Sequence, residues 1–291
     1  MYAKEFDYHR AESVEHAVEL LAEKRDPKLL AGGHGLIPAM KKRELSPGTV
    51  VDIGRLDTLE GIERTDGTVR IGALTTHREV LESSVLSELV PVVPRTVAHI
   101  TGGRQVHNFA TIGGNLARAH PGYDYEGALL AAGCEVHVRG PNGTRAVPIG
   151  EFVRGACETV LETSEIVTGI ELPTVETVRK GGYAKRKEAA SGNAIVGVAT
   201  DLTFEDGTGT DCRSLTVAVN GLQESAVRLP AVEKAVTGQP LDESTIERAA
   251  AVAGEGIDSA GVLDNKKASA EYRQGLLEPY VYDAITDAVD T

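Results

Sequence analysis

The sequence predicts an α+β protein made of three successive units. Residues 1–55 alternate short apolar strands with helical patterns in the order βαβαβ. In residues 56–176, apolar strands flank the turn signals Thr65-Asp66-Gly67 and Pro141-Asn142-Gly143, which indicates antiparallel hairpins. Residues 177–291 place three strands ahead of a set of helices. We therefore expect a second unit with an antiparallel sheet and a C-terminal unit with a three-stranded antiparallel sheet and helices.

The first unit is predicted from short, well-punctuated segments. Lys4 to Tyr8, Leu29 to Ala31 and Val50 to Ile53 are apolar enough for strands. Ser13 is a suitable N-cap for a helix that keeps helical apolar spacing. A second short helix is expected from Ile37 to Arg43.

The second and third units follow from the same signals. In the second unit we expect strands at 61–64, 68–73, 135–139, 145–147 and 165–172. We expect helices at 77–81, 84–89 and 124–132, and a connecting loop at 101–110. In the third unit we expect strands at 182–187, 194–204 and 215–219, a glycine-rich turn at 206–209, and helices at 230–236, 244–253 and 268–289.

Two glycine-rich stretches are the candidate binding elements. Ala31-Gly32-Gly33-His34-Gly35-Leu36 lies between a strand and a helix, where backbone N–H groups can surround phosphate oxygens. Thr111-Ile112-Gly113-Gly114-Asn115 has two adjacent glycines, which permit close approach of the backbone and positive φ. Each alone also suits an ordinary tight turn. Two such loops in one chain suggest a pyrophosphate held between them.

A nicotinamide-binding Rossmann motif is the main competing interpretation of the first stretch. Gly33-His34-Gly35 follows a strand, and Asp52 comes about 20 residues later, as in that fingerprint. However, Pro38 occupies the third glycine position, and no long doubly wound pattern follows. Such a motif is informative only in its full context, so this interpretation is disfavoured.

Composition restricts the classes of function. Lys and Arg number 30 against 43 Asp and Glu, a formal net charge of −13, and such a chain repels nucleic acid and anionic membranes. No apolar run approaches the roughly 20 residues of a membrane span. Residues 1–7 lack the apolar core of a signal peptide, so we expect a cytoplasmic location.

The cysteines and histidines point away from a metal bound by this chain. Cys134, Cys157 and Cys212 are far apart and form no CxxC motif, which iron–sulfur clusters and four-cysteine zinc sites commonly use. The 8 histidines form no HxxxH or HExxH pair. No nucleophile–base pair is specified either. A chain of this kind suits a borrowed organic cofactor, for which the protein supplies orientation and electrostatics.

The glycine motifs AGGHG at 31–35 and TIGGN at 111–115 resemble the two flavin-binding motifs of the FAD-carrying medium subunit of molybdenum hydroxylases, the family of carbon monoxide and xanthine dehydrogenases. The resemblance continues in the family's order through most of the chain, at residues 51–53, 71–77, 105–108, 115–124, 165–167, 170–173 and 183–185.

This resemblance implies a PCMH-type (vanillyl-alcohol-oxidase-like) FAD-binding fold of two α/β subdomains plus a C-terminal domain. It implies FAD as cofactor, no catalytic side chain, and cofactor-binding residues at Ala31, Gly32, Gly33, His34, Gly35, Leu36, Thr111, Ile112, Gly113, Gly114, Asn115, Asp124, Val167 and Lys185. The two motifs would hold the pyrophosphate, Leu36 and Val167 would give apolar contacts, Asp124 would reach the cofactor, and Lys185 would lie near the flavin. From the residues alone, Asp124 also suits a helix N-cap, Val167 an ordinary strand residue and Lys185 a solvated lysine.

The resemblance also implies partners. A small subunit would carry two [2Fe–2S] clusters and a large subunit molybdopterin, as a dimer of heterotrimers, and electrons would pass through FAD to an external acceptor. The alternatives are a self-contained FAD-dependent oxidase of the same fold and a non-catalytic assembly protein that has lost the flavin.

The sequence departs from the family pattern at one place. Members often carry Arg-Arg after the lysine strand and Gly-Asp before the next strand, where this chain has Glu188-Ala189 and Ser191-Gly192. Asn193 stands where some relatives have an aromatic residue near the flavin. The surroundings of a flavin would therefore differ here from those in such relatives.

Overall fold

The structure is a computed structural model that describes residues 2–204 and 211–290. Its first unit contains a three-stranded parallel sheet. The strands lie in the order β1-β3-β2, and helices connect them in the predicted βαβαβ order. The elements are β1 (Asp7–Arg10), α1 (Val14–Glu23), β2 (Pro27–Leu30), α2 (Leu36–Lys42) and β3 (Thr49–Asp52). Ser13 caps α1 as predicted, since its hydroxyl accepts the His16 N–H at 3.1 Å.

The second unit is built on a five-stranded antiparallel sheet in the order β4-β5-β10-β6-β7. Both predicted hairpins are present in it. The strands are β4 (Ile62–Thr65), β5 (Thr68–Gly72), β6 (Glu135–Gly140), β7 (Gly143–Pro148) and β10 (Ile166–Pro173), with a separate two-stranded sheet of β8 (Val153–Gly155) and β9 (Glu158–Thr159).

The second unit also contains seven short helices: α3 (His77–Leu81), α4 (Ser84–Leu89), α5 (Val92–Ala98), α6 (Gly103–Phe109), α7 (Ile112–Arg118), α8 (Tyr125–Ala131) and α9 (Ile149–Phe152). Two of them correct the sequence-based expectations. Helix α6 occupies most of the segment expected to be a loop, and α7 begins where a double-glycine turn was expected. Thr111 explains the second difference, because its hydroxyl accepts the Gly114 N–H and caps the helix.

The third unit has an antiparallel sheet of β11 (Arg179–Lys187), β12 (Ala194–Phe204), β13 (Cys212–Asn220) and β14 (Val227–Arg228), so a short fourth strand joins the three expected. Its helices are α10 (Pro230–Val236), α11 (Glu243–Ala251), α12 (Ala270–Gly275) and α13 (Leu277–Val289). The last predicted helix is therefore divided at Leu276. The expected turn at 206–209 lies outside the described residues.

Buried polar contacts join the third unit to the second. Arg179 on β11 forms an ion pair with Asp201, with 2.8 Å between Nε and Oδ1. The same guanidinium donates to the backbone carbonyls of Leu89, Ala132 and Pro173, which end α4, α8 and β10. Tyr183 from β11 also belongs to the hydrophobic core of the second unit. The third unit packs against α5 and α8. Within the described ranges, no helix has both the length and the apolar character needed to cross a membrane.

Candidate functional site

A cleft of about 630 Å³ lies where the three units meet. Its walls come from the loop after β2, from helix α7, and from the turn at 191–193 that precedes β12. Val167 lies at its wall, beside a register shift between Val167 and Gly169 in the pairing of β10 with β6. This size is within the range of small-molecule and cofactor sites.

The first glycine stretch presents unused hydrogen-bond donors to this cleft. Among the described residues, the backbone N–H groups of Gly32, Gly33, His34 and Gly35 have no acceptor. Gly33 has φ +75°, a conformation that side chains other than glycine adopt only with strain. A Cβ atom on Gly32 would lie 1.9 Å from the Phe109 carbonyl oxygen. The loop therefore lies close to α6. Its backbone amides remain available to bind an anion.

The second glycine stretch works differently from the prediction. The backbone N–H groups of Ile112, Gly113, Gly114 and Asn115 donate to Thr75 O, Ala73 O, Thr111 Oγ1 and Thr111 O. They are consequently not free for phosphate, and neither Gly113 nor Gly114 has a positive φ. Gly113 is required instead for packing, because its Cβ would lie 2.6 Å from the Ala73 Cβ. The expectation of amides converging from a second loop is wrong, because this stretch is the capped start of a helix.

The two stretches nevertheless lie side by side. A Cβ on Gly114 would be 3.8 Å from the Ala31 Cβ, at the start of the first loop. A Cβ on Gly35 would be 3.8 Å from the Arg118 Cδ, at the end of that loop. Helix α7 therefore runs along the whole length of the first loop. The loop supplies free amides, and the helix supplies small residues at one end and an arginine at the other.

A buried charge pair closes the inner wall of the cleft. The Asp124 carboxylate accepts from Lys185 Nζ at 2.9 Å and from the Tyr183 hydroxyl. The side chains of Lys185 and Asp124 are 3% and 6% exposed. Burial raises the pKa of Asp124, and the Lys185 charge and the two hydrogen bonds counteract it. Asp124 stands at the N-cap position of α8, but its side chain makes no capping bond.

Three histidines surround the first loop. His34 Nδ1 lies 3.0 Å from the Gly32 carbonyl oxygen, and its ring stacks on Phe109. His107 Nε2 lies 2.8 Å from the Ile100 carbonyl oxygen. His77 is 1% exposed, with Nδ1 3.3 Å from the Tyr125 hydroxyl. Burial, and then the neighbouring His107 and His34, lower the pKa of His77 to about 3.

The His77 environment makes stability depend on pH. The unfolded chain binds a proton at His77 near its ordinary pKa of 6.5, whereas the folded chain resists protonation down to about pH 3. Stability is therefore lost as pH falls below 6.5. Between pH 7.5 and pH 5, the His77 effect lowers the free energy of unfolding by about 2 kcal/mol. We expect urea unfolding to show a correspondingly smaller acid loss in His77→Gln than in the natural chain. Parallel stability curves for the two proteins over this range would contradict the expectation.

The structure places twelve of the fourteen predicted site residues on the cleft: Ala31, Gly32, Gly33, His34, Gly35, Leu36, Thr111, Gly113, Gly114, Asn115, Asp124 and Val167. The side chain of Ile112 is instead buried in the hydrophobic core. Lys185 lies behind Asp124, where its ammonium also donates to the His99 carbonyl at 2.8 Å.

The cleft also contains residues that sequence reasoning did not assign to it. Arg118, Tyr123 and Cys157 line one side, and Ser191-Gly192-Asn193 line another. The last segment belongs to the turn where the sequence departs from the family pattern. Hydrogen bonds from Ser191 and from the Ala190 N–H lower the pKa of Glu188 to about 2, so this carboxylate holds the turn in shape. One feature of the sequence could have indicated Arg118, since it lies three residues after the second motif, on the same helix.

The geometry of the cleft suits a dinucleotide with a diphosphate. The free amides of the first loop provide donors for phosphate oxygens, and the missing side chain at Gly32 allows this loop to pack against the end of α6. The rest of the lining mixes apolar groups such as Leu36 and Val167 with a few polar ones. This is the lining expected for an organic cofactor of mixed polarity.

Comparison with known proteins identifies the class of protein to which this fold belongs. Residues 4–175 match the model of the FAD binding domain in molybdopterin dehydrogenase, and residues 182–288 match that of the CO dehydrogenase flavoprotein C-terminal domain. The fold is accordingly the PCMH-type FAD-binding fold followed by that C-terminal domain. The chain belongs to the family of FAD-binding medium subunits of molybdenum hydroxylases.

Individual relatives are similar to this chain over nearly its full length. The carbon monoxide dehydrogenase medium chain of Hydrogenophaga pseudoflava is 32% identical over 99% of this chain and 98% of its own. The xanthine dehydrogenase FAD-binding subunit of Escherichia coli O157:H7 is 28% identical over 97% of this chain and 95% of its own length. A solved carbon monoxide dehydrogenase from H. pseudoflava superposes with a TM-score of 0.90 at 31% identity, covering 99% of this chain and 98% of that one. Relatives of this kind are oxidoreductase subunits, and FAD is the cofactor of the family's domain.

Proposed function

We propose that this chain is the electron-transfer subunit of a molybdenum hydroxylase, passing electrons from iron–sulfur clusters of a partner through FAD to an external acceptor. The observation that carries the proposal is the row of four free backbone N–H groups at residues 32–35, facing a cleft of cofactor size. Bound FAD would supply the redox chemistry. The residues of this chain would bind and orient it.

Each predicted site residue has a role within this proposal. The amides of Gly32 to Gly35 bind the diphosphate. Thr111 caps α7, and Gly113 lets this helix pack against Ala73. Leu36 and Val167 supply apolar surface. Asp124 is the polar group of the inner wall, and Lys185 positions it, since the Lys185 ammonium is occupied by Asp124 and the His99 carbonyl. These assignments replace a direct role of Lys185 at the flavin with an indirect one.

Partner chains and location are part of the same proposal. A small [2Fe–2S] subunit would deliver electrons, and a large molybdopterin subunit would oxidise the substrate, in a dimer of heterotrimers. The names of the relatives, which are medium chains and FAD-binding subunits, support this organisation. A cytoplasmic location is supported by three free cysteines, because free thiols persist in reducing compartments.

The test is the visible absorption spectrum of the purified chain, alone and after addition of FAD, in low and in high salt. We expect a protein-bound flavin band at about one FAD per chain, because this chain by itself forms a cleft of cofactor size. Pull-down of iron–sulfur and molybdenum-containing chains from the native source would then test the partners. A folded chain that binds no FAD in either salt condition would refute the proposal for the isolated subunit.

A further inference from the structure

Arg118 carries a charge that the protein itself does not neutralise. Four arginines among the described residues are partly buried: Arg95, Arg118, Arg139 and Arg179. Three of them form ion pairs, with Asp287, Glu15 and Asp201. Within the described ranges, the Arg118 guanidinium has neither a hydrogen-bond acceptor nor a carboxylate partner. A partly buried charge without a partner loses hydration and gains nothing from the protein in return.

The position of Arg118 indicates what the missing partner is. The residue lies on the cleft wall at the end of α7, with its aliphatic stem beside Gly35. The free amides of the first loop face the same cleft, so neutral donors and a positive charge converge there. The acidic residue in the described lining, Asp124, is already paired with Lys185. The arrangement is therefore complete only with an anion supplied from outside the protein.

Resting on the proposed function, we propose that Arg118 binds the diphosphate of FAD and supplies the positive charge that the first loop lacks. The diphosphate is the anionic part of FAD, and a guanidinium matches phosphate oxygens with paired donors. The free amides fix the diphosphate in place, and Arg118 neutralises it. In this arrangement Arg118 is a binding residue that distinguishes phosphorylated flavins from riboflavin.

The same positive charge could instead serve a phosphate of the electron acceptor, and the experiment separates these two sources. We would titrate the flavin-free chain with FAD and with riboflavin, following quenching of flavin fluorescence, for the natural chain, Arg118→Gln and Arg118→Lys. Arg64→Gln, on the β4 hairpin away from the cleft, is the matched control. Hydrogen bonds to charged groups are worth about 1.5–3 kcal/mol, so we expect Arg118→Gln to weaken FAD binding roughly 10-fold to 100-fold.

The remaining measurements distinguish loss of the Arg118 charge from a disturbance of side-chain packing. Riboflavin affinity should be the same in Arg118→Gln and the natural chain, Arg118→Lys should retain part of the FAD affinity, and Arg64→Gln should match the natural chain. FAD affinity should also fall less steeply with NaCl in Arg118→Gln, a readout that remains if riboflavin binds too weakly to measure. Unchanged FAD affinity in Arg118→Gln would overturn the inference and leave the acceptor as the source of the anion. Equal weakening of FAD and riboflavin would overturn it in favour of packing. If the natural chain binds no FAD, the proposed function is refuted, and the inference that rests on it is refuted with it.

Discussion

Replacement of Lys185 by methionine is expected to lower the free energy of unfolding by about 3–5 kcal/mol, because it leaves the Asp124 carboxylate buried without its counter-charge. The pair is 2.9 Å apart and almost fully shielded from water. Protonation of Asp124 relieves part of this cost, since burial already raises its pKa. The loss should therefore be larger at pH 8 than at pH 5. Urea unfolding of the flavin-free chain at both pH values measures it.

Lys180→Met is the matched control for that experiment. Lys180 lies on the same strand, but its ammonium donates to the backbone carbonyl of Val289 and not to a carboxylate. We expect Lys180→Met to cost about 1.5 kcal/mol, the lower end of the range for a hydrogen bond that involves a charged group. The double variant Lys185→Met/Asp124→Asn should recover part of the loss, because no buried charge remains. Equal losses in Lys185→Met and Lys180→Met would contradict the charge-pair interpretation.

Replacement of Gly32 by alanine is expected to abolish FAD binding and to destabilise the fold by about 3 kcal/mol, the upper part of the range for overpacking. The added Cβ would lie 1.9 Å from the Phe109 carbonyl oxygen and 2.9 Å from the Ala110 Cα. Both are backbone atoms that cannot rotate away, so the first loop must move from α6. The free amides at residues 32–35 would then lose their alignment. Thermal unfolding of the flavin-free chain and FAD titration measure the two effects.

Gly35→Ala, in the same loop, separates this clash from a general sensitivity to substitution. Its Cβ would be 3.8 Å from the Arg118 Cδ, an ordinary contact. The stability of the flavin-free chain should change by no more than about 0.5 kcal/mol, as for uncrowded positions. A Gly32→Ala chain as stable as Gly35→Ala, and with the same FAD affinity, would contradict the proposed geometry of the loop.

The sequence predicted local features better than tertiary ones. Ser13, the Asp66-Gly67 turn and the βαβαβ order depend on neighbouring residues, and the structure confirms them. The double glycine at 113–114 was misinterpreted, because glycine suits both a turn with positive φ and close helix packing. Only the position of Ala73 distinguishes the two, and Ala73 is distant in sequence.

The charge network at the inner wall could not be predicted for the same reason. The family resemblance selected Asp124 and Lys185 as separate residues near the cofactor. Their pairing depends on how the sheet that contains β11 packs, through β12 and β13, against α8, which no local pattern specifies. Arg118 was overlooked because an arginine in the last turn of a helix normally faces solvent and interacts with the helix end. Its lack of a partner becomes visible only in three dimensions.

The layout of the cleft also constrains when it can come into existence during biosynthesis. Its lining begins at Lys28 and ends at Asn193, so the complete binding surface needs at least 193 of the 291 residues. A nascent polypeptide shorter than this lacks one wall of the cleft, so the flavin has no complete site when only the N-terminal sheet has been synthesised. Completion of the binding site is therefore a late event, after the sheets of the first and second units have been synthesised.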